Sequence, residues 1–236
     1  MSVTIDPSIT LGELITQHPS LARELERREL DYCCGGRLTL SEACAKQGLD
    51  VEDTVAALSA IPAGGAEPWA TFGPAELVDH IESTHHAYLH SEFARLTALS
   101  DKVAEVHGGR HPELLDVQRL YGDVRADLEP HLLKEERMLF PMIRELAAAQ
   151  TAPAFHCGSL RNPISVMLRE HDMAGELLAQ LRAAARGYAL PDDACASYTA
   201  LYAGLEQLEA DTHLHIHKEN NVLFPAVVAL EAEIPA

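Results

Sequence analysis

The residues best able to do chemistry in this chain occur in two copies of one frame. His131-Leu-Leu-Lys-Glu135-Glu-Arg-Met-Leu-Phe-Pro141 and His215-Ile-His-Lys-Glu219-Asn-Asn-Val-Leu-Phe-Pro225 both read H-x-x-K-E-x-x-x-L-F-P. An upstream histidine precedes each copy, His86 by 45 residues (131 minus 86) and His171 by 44 (215 minus 171). The same two-helix unit is therefore present twice. At 3.6 residues per turn, a histidine and a glutamate four apart share one helix face, so each pair can serve one metal site. Two such faces, with one inward histidine from each remaining helix, collect His86, His131, His171, His215, Glu135 and Glu219. Four imidazoles and two carboxylates are a set that helical bundles build in their cores. A single H-x-x-x-E is usually a solvated ion pair, but the duplicated spacing, tail and upstream histidine point to a dinuclear metal centre.

Imidazole and carboxylate without thiolate suit iron or manganese better than a structural zinc, although zinc and copper compete on affinity. Glu135 and Glu219 as bridges would remove half the charge of two ferrous ions and so reduce the repulsion between them. Coordination positions would remain open for a small ligand, which marks a reactive site rather than a structural one.

Long helices are needed to hold this set. Helical periodicity runs over about 74 to 99, 113 to 147, 163 to 187 and 192 to 230, broken at HGGRHP, TAPAFHCGSLRNP and RGYALP. Aromatic residues are only 5% and no segment alternates apolar with polar, so strands are not expected. The fold class predicted is all-α, an antiparallel four-helix bundle. Pro130, just before His131, predicts a kink there. Upstream, short helices are expected after Asp6-Pro7 and behind caps at Ser20, Ser41 and Asp50. PAGGAEP reads as a linker, which divides the chain into a small helical domain at 1–62, a linker at 63–73 and the bundle at 74–236.

Composition excludes several functions. A formal net charge of -18 opposes binding to nucleic acid or anionic lipid. No apolar run is long enough to span a membrane, and the start MSVTIDPSIT has no signal-peptide pattern, so a cytoplasmic setting is expected. Five cysteines, Cys33, Cys34, Cys44, Cys157 and Cys195, form no zinc pattern and are expected as reduced thiols. Cys33-Cys34 precedes Gly35-Gly36, which permits a tight turn. A disulfide between neighbours is strained, so the pair reads as thiols acting between molecules, against the plainer reading of two small buried residues. Nothing assigns a role to Cys44, Cys157 or Cys195. His213 and His217 lie off the face of His215 and are expected to be exposed or to support ligands. His90, one turn after His86, is a reserve ligand or a surface residue. His18, His80, His107, His111 and His156 are expected to be solvated or capping.

With the strings Asp31-Tyr-Cys-Cys-Gly-Gly36, Val78-Asp-His-Ile81, His131 to Pro141, Ile164-Ser-Val-Met167, Glu170-His-Asp172 and Glu219 to Pro225, nearly the whole chain resembles the RIC (repair of iron centres) family of hemerythrin-like di-iron proteins. The resemblance implies a cytoplasmic protein, made under nitrosative or oxidative stress, that repairs damaged iron-sulfur clusters and supplies iron to them. It implies two iron ions held by His86, His131, Glu135, His171, His215 and Glu219, bridged by the two glutamates and by oxo or hydroxo when oxidised. It also implies that Cys33 and Cys34 matter for repair. The partners implied are damaged iron-sulfur proteins and small ligands such as nitric oxide or oxygen, with a homodimer as a further candidate. His85 and His86 are about 100 degrees apart on a helix, so only one can face the centre. The apolar positions Val78, Ile81 and Leu89 favour His85, whereas the ungapped match favours His86, which is assigned. Two other functions compete: reversible binding or sensing of oxygen or nitric oxide, and nitric oxide reduction. The last needs an external electron donor, since no flavin or nicotinamide motif is present.

Overall fold

In the computed structural model of the chain, the described residues are 5–62 and 67–235. Residues 63–66 of the expected linker lie outside them. Four short helices come first: α1 (Leu11–Gln17), α2 (Ala22–Arg27), α3 (Leu40–Gln47) and α4 (Val51–Ser59). Asp50 caps α4 as expected, its side chain accepting from the Asp53 N–H. The other two expected caps are not the ones used. Thr39, two residues before Ser41, caps α3 and forms a reciprocal box with Glu42, and Thr10 does the same with Glu13 for α1. Each box satisfies two backbone donors at once, which a serine placed inside the first turn cannot do. Ser20 lies instead in a 3-10 turn, Pro19–Leu21, ahead of α2. The two threonine caps also pair as an antiparallel bridge, setting the starts of α1 and α3 side by side.

The long helical stretches follow. The first is α5 (Pro74–Ile81), a π-helical turn at Glu82–His86 and α6 (Ala87–His107). The second is α7 (Glu113–Lys134), a π turn at Glu135–Leu139 and α8 (Phe140–Ala148). The third is α9 (Arg161–Ala184). The fourth is α10 (Ala196–Lys218), a π turn at Glu219–Leu223 and α11 (Phe224–Glu233). The fold is all-α, a helical bundle with a small N-terminal helical domain. The first stretch reaches His107 rather than 99 because Val103, Ala104 and His107 continue its buried face. Helix α7 runs through Pro130 without interruption. Among the described residues no helix is long and apolar enough to cross a membrane.

The chain packs as two compact units, one made from residues within 1–80, 142–162 and 213–236, the other from 81–141 and 163–212. In the second unit the buried residues follow helical spacing. They are Leu89, Phe93, Leu96, Ser100 and Val103 on α6, Leu114, Val117, Tyr121, Val124 and Leu128 on α7, and Ile164, Met167, Ala174, Leu178 and Leu181 on α9. Burying a large apolar side chain contributes about 1.5–3 kcal/mol, so these stripes orient their helices firmly. His86, His131 and His171 lie on the same stripes and are themselves buried. The periodicity that builds the core thus also delivers imidazoles into it. In the first unit, Leu11, Leu14, Ile15, Leu21 and Leu25 form the core of the N-terminal helices.

Candidate metal centre

Within the second unit, Glu135 is the first residue of its π turn and its carboxylate has no solvent exposure. Its Oε2 lies 3.4 Å from His131 Nε2 and 3.5 Å from His86 Nε2. His131 Nε2 is also 3.1 Å from His171 Nε2. The donor atoms of His131, Glu135 and His171 all lie within 4.8 Å of one another. Three helical stretches thus bring three imidazoles and one carboxylate to a buried point.

The outer nitrogens of two of these rings make hydrogen bonds of their own. His131 Nδ1 donates to Glu170 Oε2 at 2.9 Å, and His86 Nδ1 donates to Glu136 Oε1 at 3.0 Å. With the proton held on Nδ1, each Nε2 presents a lone pair inward, the tautomer a metal ligand needs. Glu170 also pairs with the Lys134 ammonium. The hydrogen bond from His131 outweighs burial and, with Lys134, holds the Glu170 carboxyl down at about 2. Burial opposes ionisation of Glu136, but hydrogen bonds from His90 and His86 outweigh it and keep its carboxyl below the ordinary value. His90 therefore sits 2.7 Å from Glu136, on the outer carboxylate of His86. His85 is buried as well, but it turns to Asp211 Oδ1 at 3.0 Å. Of the adjacent pair, His86 is the one against Glu135.

In the first unit His215 and Glu219 repeat the pairing, with His215 Nε2 3.3 Å from Glu219 Oε1 and both side chains buried. Glu219 again opens a π turn. Lys218 beside it is buried, its Nζ 2.9 Å from His80 Nε2 and 5.0 Å from the centre of the Trp69 ring. His217, expected to be exposed or supporting, is fully buried against the N-terminal domain, 3.2 Å from Thr16 Oγ1 and packed edge-on to Tyr32 and Trp69. Burial lowers its proton affinity to about 4, so it is neutral. His213 stacks edge-on with Tyr32 and lies 3.4 Å from Glu26.

The cysteine loop rests on the same π turn. Asn221 Nδ2 donates to the Cys33 carbonyl at 3.0 Å. Gly12 and Gly36 leave room for Asn221, since a Cβ on Gly12 would stand 2.8 Å from its Oδ1 and one on Gly36 would overlap it. Asp31 Oδ1 accepts from the N–H groups of Cys33 and Cys34 at 3.1 and 2.9 Å, and Oδ2 accepts from Gly35 N–H at 2.9 Å. Asp31, Cys33 and Cys34 bring donor atoms within 4.8 Å, but this carboxylate is engaged in shaping the turn. Cys33 is buried and Cys34 partly exposed, with sulfurs 3.8 Å apart. The neighbouring Cys34 thiol and burial push the Cys33 thiol well up. All five cysteines are unbridged.

Sequence spacing missed Glu136, Glu170, Asp211 and Asn221. A signal for one of them was present: the repeated frame extends upstream to D-x-x-x-H-x-x-K-E through Asp127 and Asp211. The donor set fits divalent iron or manganese, because it is all nitrogen and oxygen and its outer nitrogens are oriented.

A family profile described as the hemerythrin HHE cation binding domain matches residues 77–227. Another, described as Domain of Unknown function (DUF542), matches residues 8–61. The iron-sulfur cluster repair protein YtfE of Escherichia coli O157:H7 is 35% identical over 222 residues, covering 94% of this chain and 97% of the relative. The protein of the same name from Citrobacter koseri has the same identity and coverage.

Proposed function

The chain belongs to the hemerythrin HHE cation-binding family, in the group of iron-sulfur cluster repair proteins, and we propose that it repairs damaged iron-sulfur clusters by supplying iron from a di-iron site. Two irons would be held by His86, His131, Glu135, His171, His215 and Glu219, with the glutamates shared between them. The observation that carries this reading is the buried Glu135 carboxylate facing the Nε2 atoms of His86 and His131, whose outer nitrogens are fixed by Glu136 and Glu170. The internal repeat extends it to His171, His215 and Glu219.

Bound iron would supply open coordination positions and a metal ion that can be handed on. The protein's own groups set how readily that happens. Glu170 and Glu136 keep His131 and His86 in the metal-binding tautomer. Lys134 offsets the charge of Glu170 at the surface of the site. Each supporting carboxylate is partly exposed, so solvent can compete for it and loosen the ring it holds. Asp31 and Asn221 fix the backbone of the Cys33-Cys34 loop, which leaves the Cys34 sulfur as the accessible thiol for a damaged target. Damaged iron-sulfur proteins are the partners, and the cytoplasm is the setting, in this reading.

Anaerobic mixing of isotopically labelled, iron-loaded protein with an apo iron-sulfur protein tests the proposal. Transfer of label with recovery of the target's cluster is expected. Retention of all label, with reversible binding of oxygen or nitric oxide, would make the protein a carrier and overturn it.

A further inference from the structure

A nucleophile and a base meet where α6 ends and α10 begins, in the second unit and on residues the metal centre does not use. Cys195 directly precedes α10, a helix of 23 residues, and its carbonyl accepts the Thr199 N–H at 2.9 Å. Its side chain is exposed. The sulfur lies 3.2 Å from His107 Nε2. His107 ends α6 and is only 5% exposed, and among the described residues its Nδ1 has no hydrogen-bond partner, so the ring's contact to the thiol is made through Nε2. Tyr198 packs against the ring at 5.5 Å between centres and fixes its direction.

We propose that Cys195 and His107 form a reactive thiol site that captures low-molecular-weight disulfides, independent of the metal centre. A buried histidine pointed at an exposed sulfur is the arrangement that turns a thiol into a thiolate, and a helix N-terminus adds to it. The Tyr198 N–H holds the Cys195 thiol below its ordinary value against the cost of burial, and the Ser197 and Cys195 N–H groups and the Lys102 ammonium add to it. The other charged groups nearby are mutually engaged: His111 Nε2 lies 2.9 Å from Asp193 Oδ1, with Arg110 and Glu113 alongside.

The step balances without further reagents. His107 takes the Cys195 proton, and the thiolate attacks one sulfur of R–S–S–R. The new Cys195–S–S–R bond forms as the old S–S bond breaks, and the departing thiolate takes the proton from His107 and leaves as R–SH. Cys195 is oxidised and the released sulfur is reduced. The exposed sulfur is open to a bulky reagent. Cys195 is the sole cysteine within 81–141 and 163–212, so its own unit offers no second thiol to resolve the adduct.

The test treats the full-length, iron-loaded protein with glutathione disulfide and follows intact mass and peptide mapping across the pH range around neutrality. One glutathionyl group on Cys195 is expected at neutral pH, formed about three- to tenfold faster than on the same cysteine in the unfolded chain. The gain stays modest because nucleophilicity falls with thiol pKa. His107→Gln should slow capture about threefold or more and move the pH midpoint upward, while Cys195→Ser abolishes this adduct without changing iron content. An unfolded-like rate, an unchanged rate in His107→Gln, or capture at Cys34 alone would overturn the proposal. Should His107→Gln fail to fold, the pH profile of the unaltered protein still decides, since a midpoint at that of a free thiol contradicts it.

Discussion

Glu135 and Glu219 are carboxylates with no solvent exposure, each beside an imidazole nitrogen. Burying a carboxylate costs several kcal/mol unless a cation compensates, and neutral imidazoles do so poorly. A metal cation held by the proposed site would offset that cost. The supporting carboxylates then act through the rings they hold. Glu170→Ala removes the acceptor that fixes His131 Nδ1 and is expected to lower metal affinity about 10–100-fold, read by competition with a chelator. His213→Ala, which touches Tyr32 and Glu26 instead, should leave affinity unchanged. The two adjacent cysteines should separate as well. Limited alkylation followed by peptide mapping is expected to label the accessible Cys34 ahead of the buried, high-pKa Cys33, and the reverse order would mean the loop opens readily.

At the scale of elements, three π turns stand beside expected ligands: one ends at His86, one begins at Glu135 and one begins at Glu219. Two have a cause visible in the sequence. Pro141 and Pro225 each stand six residues after the glutamate, and proline offers no N–H to the carbonyl four before it while its ring crowds that carbonyl. Widening the preceding turn relieves the clash, and such widened turns recur at functional sites. No proline explains the turn at Glu82–His86, which is why spacing on an ideal helix pointed to His85. Pro130, by contrast, sits in plain α-helix. The long helices, the paired His-Glu frames and the Asp50 cap were legible because periodicity and capping act over a few residues. The partners Glu136 and Glu170 were not, because each meets its histidine only across packed helices, and Asp211 showed only as part of the extended repeat, without its pairing to His85. The Asn221 contact with the Cys33 loop spans 188 residues and left no local trace. Gly36→Ala puts a methyl group against Asn221 and the Tyr32 carbonyl, the latter at 2.7 Å. Overpacking of this kind should destabilise the N-terminal domain by about 1–3 kcal/mol, seen as faster proteolysis in the first sixty or so residues with iron content retained.

Across the whole molecule, metal binding and folding should be linked. The proposed ligands from α7, α9, α10 and the π turns lie far apart in sequence, so the native state would bind metal and the unfolded chain would not. A ligand present at about a thousand times its dissociation constant adds roughly 4 kcal/mol, and chelation should lower the melting temperature accordingly. The most direct test of the central claim is iron per chain in anaerobically purified protein. Two irons are predicted for the unaltered chain, and fewer than one in Glu135→Ala and in Glu219→Ala alike, because each carboxylate is assigned to both metals. A single iron in the unaltered protein, or two retained after either substitution, would contradict it.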